Sequence, residues 1–203
     1  MIKGIGAVGD SITHGFLDDH NLGWFARLGQ MILAEHPGEY VFNNMSQAGD
    51  DITNAVHRAA NEVLSRKFDL ILVNIGINDL RRRKECDMRL DFSEGVRQTY
   101  WQRLLETLQL SGAKIVVTDL LPVVEGRYTE DATLERLNSD VEDYNAQIKQ
   151  ICRQYNITFF ERYASWIEKD YSSLYKDAVH PNAQGHQLIA QQMFDFLKTE
   201  NLI

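Results

Sequence analysis

The chain of 203 residues has only two cysteines, three prolines and no long apolar run. Cys86 and Cys152 stand far apart, in no C-x-x-C or metal-ligand spacing, so neither a disulfide framework nor a zinc site is built and both thiols read as inert. With so little proline and no Ser/Gly-rich or single-charge tract there is no linker, and one domain over residues 1–203 is expected. No apolar stretch approaches the ~20 residues that span a bilayer. The first ten residues already read as a core strand, which leaves no room for a secretory leader, so a cytoplasmic location is expected. Positive charge is scarce too. Lys and Arg number 21 against 29 Asp and Glu, a formal charge of −8, which argues against a phosphate-neutralising surface and against nucleic acid as a partner.

What the chain does have is alternation, within a globular composition of 44% hydrophobic and 25% charged residues. Five apolar runs rich in β-branched side chains, residues 2–8, 40–45, 70–75, 114–121 and 157–160, have strand length. Between and after them, residues 24–34, 52–64, 92–110, 134–155 and 187–197 carry apolar side chains at helical spacing. Near-continuous apolar strands separated by crossover helices predict an α/β fold, with a mainly parallel sheet covered on both faces. Ligands then meet the carboxyl ends of the strands, framed by the irregular stretches 16–23, 81–91 and 122–132.

Those strand ends carry chemistry. Gly9-Asp10-Ser11 closes the first run, so the Ser11 hydroxyl projects above the sheet as a poised nucleophile, although the tripeptide alone fits an N-cap or turn. Asp177-Ala178-Val179-His180 precedes the last helix, which Pro181 or Asn182 starts. A histidine there can reach back to the first strand while the carboxylate three residues earlier bonds its other ring nitrogen. An isolated pair of this kind also fits a helix start; the combination with Ser11 favours nucleophilic acyl transfer. The third run leads into Gly76-Ile77-Asn78-Asp79, where the Asn78 amide can donate to an oxyanion, and the second leads to Gly49, where backbone N–H can approach a ligand closely.

Taken in order, these four blocks resemble the SGNH hydrolases, also called GDSL lipases and esterases, over nearly the whole chain. The resemblance implies a flavodoxin-like three-layer α/β/α sandwich with a five-stranded parallel sheet. It implies that Ser11 attacks the acyl carbonyl of a small-molecule ester, that His180 is general base and then acid, and that Asp177 orients His180. Ser11 N–H, Gly49 N–H and Asn78 would form the oxyanion hole, and no cofactor or metal is needed. One departure is visible: around Gly49 many members carry another glycine and a serine where this chain has Ser46 and Ala48, which makes Gly49 the loosest match.

Other readings fare less well. Gly4-Ile5-Gly6-Ala7-Val8-Gly9 matches the dinucleotide fingerprint, yet no strand precedes it and Asn43-Asn44 stand where an acidic residue should close the second strand. Gly4 and Gly6 then serve close approach to the first strand. There is no G-x-S-x-G elbow for an ordinary α/β-hydrolase, and His14, His20, His36, His57 and His186 show no metal-ligand spacing and read mostly as surface residues, His14 being nearest the nucleophile. Arg81-Arg82-Arg83-Lys84 is either a solvated face or a steering cluster for an anionic ester. Trp24, Phe92 and Tyr128 lie in or beside the framing loops, as packing or substrate contacts. An acyltransferase, thioesterase or lysophospholipase would use the same groups, and a non-catalytic binding module is the remaining class.

Overall fold

The apolar runs condense into one parallel sheet because each is flanked by a segment able to cover it. In the computed structural model, which describes residues 2–129, 131, 133–168 and 170–203, the strands in chain order are β1 (Lys3–Gly9), β2 (Tyr40–Asn44), β3 (Leu70–Asn74), β4 (Arg82–Arg83), β5 (Lys114–Thr118), β6 (Leu134–Glu135) and β7 (Thr158–Phe160). The helices are α1 (Ser11–His14), α2 (Gly23–Glu35), α3 (Ile52–Val63), α4 (Glu94–Gln109), α5 (Asn138–Gln154), α6 (Tyr163–Ile167) and α7 (Ala183–Thr199). Five strands form the parallel sheet in the order β2-β1-β3-β5-β7, while β4 and β6 make a small antiparallel ribbon. All five residues of β3 are buried, as its central place requires. Helices α2 and α7 pack together, and α3, α4 and α5 are successive neighbours, giving the two helical layers.

Register brings the candidate residues to one edge. Gly9 lies opposite Asn74 across β1 and β3, so the chain leaves both strands at the same level, directly before Ser11 and before the turn that carries Asn78. A Cβ on Gly4 would sit 2.6 Å from the Lys67 carbonyl oxygen, so glycine there allows the chain entering β3 to lie against β1. That is a packing role, in line with the close approach expected from the sequence.

Three expectations change in detail. The helix expected over residues 134–155 begins at Asn138, because Leu134 and Glu135 pair antiparallel with Arg83 and Arg82. Asn138 then fixes the break, its side chain accepting from Val123 N–H at 2.9 Å and donating to Val123 C=O at 3.0 Å. The strand expected to run to residue 121 stops at Thr118; beyond it the Asn145 amide brackets Leu120, accepting from its N–H at 2.7 Å and donating to its C=O at 2.9 Å, in place of strand pairing. His186 is buried rather than exposed, and burial pushes its pKa down to about 4. Among the described residues no helix is long and apolar enough to cross a membrane.

Candidate active site

The turn after β1 is built to hold Ser11 still. Asp10 leaves the strand extended and its carboxylate accepts from Ile12 N–H at 2.9 Å, which starts the four-residue helix α1. Burial raises the Asp10 pKa to about 6, with the Ile12 hydrogen bond opposing. Inside α1, Trp24 Nε1 donates to Thr13 Oγ1 at 3.3 Å and Asn44 Nδ2 to Thr13 C=O at 3.0 Å, so neighbours on both sides pin the helix.

His180 arrives from the opposite end of the chain on a turn of its own. Asp177 Oδ1 accepts from the backbone N–H of Val179 and of His180, both at 2.8 Å, and its Oδ2 lies 2.7 Å from His180 Nδ1. Burial would raise the Asp177 pKa, but the hydrogen bonds from the His180 ring and from both backbone N–H groups outweigh it and hold the carboxylate below its ordinary range. With the ring proton on Nδ1, Nε2 is free to accept, and it stands 2.9 Å from Ser11 Oγ. The Phe16 ring edge, 5.0 Å away between centroids, backs the imidazole. Asn182 caps α7 by accepting from Gly185 N–H at 3.0 Å, which sets the helix start directly behind this turn.

Asn78 sits buried on the 3₁₀ turn Ile77–Leu80 after β3. One Nδ2 proton goes to Asp50 C=O at 2.8 Å, and Oδ1 accepts from Arg136 Nη2 at 3.0 Å. The next residue, Asp79, ties this turn to the other loop: Oδ1 accepts from Ile52 N–H at 2.9 Å and Oδ2 from Tyr144 O–H. Gly49 precedes that anchor with φ +86°, a left-handed conformation that a side chain strains, although a Cβ would meet open space.

Ser11, Gly49, Asn78, Asp177 and His180 thus line one cavity of about 310 Å³. Phe16, Ala48, Leu134 and Val179 supply its apolar wall, and Arg81, Thr129, Asp131 and Arg136 its polar one. A larger hollow of about 480 Å³, bounded by α5 and the chain from β7 into α6, holds none of the candidate residues. His14 is exposed and stands outside the cavity, its Nδ1 3.2 Å from Ser46 C=O. The basic run divides: Arg81 reaches Gly49 C=O and the cavity, Arg82 pairs with Asp140, and Arg83 pairs with Asp91. Trp24 is core, and Phe92 and Tyr128 stay off the cavity wall. Among the described residues no cluster of histidine, cysteine or acidic side chains could hold a metal ion.

Known proteins share this arrangement of chain. The model of the GDSL-like lipase/acylhydrolase family matches residues 7–188, which contain every residue of the site. The chain belongs to the GDSL-like lipase/acylhydrolase family. A curated relative of this chain is the acetylxylan esterase of Geobacillus stearothermophilus, 27% identical across 91% of this chain and 89% of that one. Among solved structures, the lipase/acylhydrolase from Enterococcus faecalis superposes with TM-score 0.77 at 19% identity, covering 98% and 97% of the two chains. The psychrotrophic esterase EstA from Pseudoalteromonas sp. gives 0.75 at 19%, covering 99% and 100%.

Two parts of the candidate site were not picked out by the sequence alone. Asp79 lay inside the G-x-N-D block as a motif letter, and only the fold reveals the Ile52 and Tyr144 groups it joins. Arg136 carried no signal: it lies in a stretch whose apolar spacing mimics the start of a helix, and its partners are 58 and 59 positions away.

Proposed function

We propose that this acylhydrolase cleaves short-chain carboxylic esters through an acyl-Ser11 intermediate. The observation that carries the reading is the hydrogen-bonded line from Ser11 Oγ to His180 Nε2 at 2.9 Å and from His180 Nδ1 to Asp177 at 2.7 Å. Along that line the imidazole takes the hydroxyl proton as Oγ bonds to the acyl carbon, and the Asp177 carboxylate stabilises the imidazolium. The carbonyl oxygen becomes an oxyanion facing Ser11 N–H, Gly49 N–H and the second Nδ2 proton of Asn78. As the tetrahedral centre collapses, His180 returns its proton to the leaving alcohol oxygen. Water then repeats the sequence on the acyl-serine: His180 takes a proton from water, a carboxylic acid leaves, and the serine is restored.

The cavity volume and its apolar portion around Phe16, Ala48 and Val179 suit a small acyl group. Arg81, Thr129 and Asp131 on the rim suit a hydroxylated alcohol moiety, and the acetylxylan esterase relative points the same way, so acetylated sugars are the first natural substrates to try. Hydrolysis of p-nitrophenyl acetate tests the chemistry. Ser11→Ala and His180→Ala should each reduce turnover to background while circular dichroism stays that of the parent; undiminished turnover in either variant refutes the proposal.

A further inference from the structure

We propose that Arg136 is a positioning residue for this reaction: its guanidinium fixes the Asn78 amide in the one orientation that offers Nδ2 to an oxyanion, and polarises it for that task. The inference rests on the hydrolase reading above. Arg136 is only 7% exposed, yet it carries a charge, and a buried cation is poor evidence for a stabilising role. Burial, helped by the nearby Arg81, pulls its pKa down to about 10, far enough above neutrality to leave it protonated.

Its bonds go to neighbouring acceptors on one turn: Nε donates to Ile77 C=O at 2.9 Å and Nη2 to Asn78 Oδ1 at 3.0 Å. Guanidinium nitrogens only donate, and a carbonyl only accepts. A flipped Asn78 would therefore set its NH₂ against the guanidinium and its oxygen against Asp50 C=O, two repulsive contacts in place of two hydrogen bonds. In the orientation that remains, one Nδ2 proton is held by Asp50 and the other is left for the substrate. A cation on Oδ1 also withdraws charge from the amide, which strengthens Nδ2–H as a donor.

The test is a double-mutant cycle read by p-nitrophenyl acetate kinetics, with a second readout that needs no turnover. Arg136→Met should lower kcat about 10- to 100-fold with KM within about twofold. In an Asn78→Ala background the same substitution should change kcat by less than about threefold, because the group it acts through is gone. Arg136→Lys, which keeps the charge and loses the two-pronged grip, should also lower kcat and serves if the Met variant folds poorly. The Asn78 side-chain NH₂ resonances should move in both single variants. Equal fold-losses in the two backgrounds, or an unmoved Asn78 signal while wild-type hydrolysis remains Ser11-dependent, would overturn the inference alone. Hydrolysis that survives Ser11→Ala would overturn the hydrolase reading, and the positioning role of Arg136 with it.

Discussion

In the proposed reaction His180 acts as a base only in the tautomer with its proton on Nδ1, the tautomer that Asp177, 2.7 Å away, would select. Asp177→Asn preserves the size of the group and offers an amide N–H to the ring, which favours the wrong tautomer. Turnover of p-nitrophenyl acetate should then fall by as much as about 10⁴ with the fold intact. On the proposed mechanism, Asn78→Ala removes one donor to the charge that develops on the carbonyl oxygen in the transition state. It should lower kcat about 10²- to 10³-fold and leave KM near the wild-type value; a loss carried by KM would place Asn78 in ground-state binding instead. Ser11, Asn78, Asp177 and His180 were legible as candidates, because Ser11 and Asn78 follow the ends of apolar runs and Asp177 and His180 form a D-x-x-H pattern just before the last helix. Arg136 was not, because its role is defined by acceptors on a distant turn, and no local spacing encodes that meeting.

Between elements, Asp79 joins the Ile77–Leu80 turn, the N-terminus of α3 and α5 through Ile52 N–H and Tyr144 O–H. Its removal in Asp79→Ala leaves both donors buried and unpaired, at a cost of about 1–3 kcal/mol each, and loosens the loop that carries Gly49. Burial raises the Asp79 pKa from 3.8 to about 7, the Tyr144 hydrogen bond opposing. A carboxyl that holds its proton more tightly folded than unfolded adds stability below about pH 4, and that contribution is lost as pH rises from about 4 towards 7. Asp79→Asn mimics the protonated group, so its urea midpoint relative to wild type should improve between pH 4 and pH 7; parallel curves would show that Asp79 does not titrate in this window. At this scale the sequence was a fair guide to what forms and a poorer one to where it stops. Leu134 and Glu135 have helical spacing but pair with β4, a tertiary preference that overrides the local one.

Across the whole molecule, alternating strands and helices made a parallel sheet legible, since crossovers of that length return the chain in the same direction. The order β2-β1-β3-β5-β7 was implied only by the flavodoxin-like resemblance, because similar apolar runs do not label their neighbours. The two thiols report on the integrity of this core. The expectation that both thiols are inert holds only for Cys152, buried in α5 with its pKa pushed up to about 12 by burial; Cys86 is exposed and open to reagents. The native protein should therefore react with one equivalent of an aromatic disulfide quickly, and with the second only as it unfolds in urea. Two fast equivalents would show that α5 opens independently of the sheet. The acyl-Ser11 intermediate is tested most directly by rapid-quench mass spectrometry of the wild type mixed with p-nitrophenyl acetate. The peptide containing Ser11 should gain the mass of one acetyl group within the first turnover and lose it as substrate is exhausted, while Ser11→Ala gains none. Steady turnover with no acetyl on that peptide, or with the acetyl on another residue, would contradict the assignment of Ser11 as nucleophile.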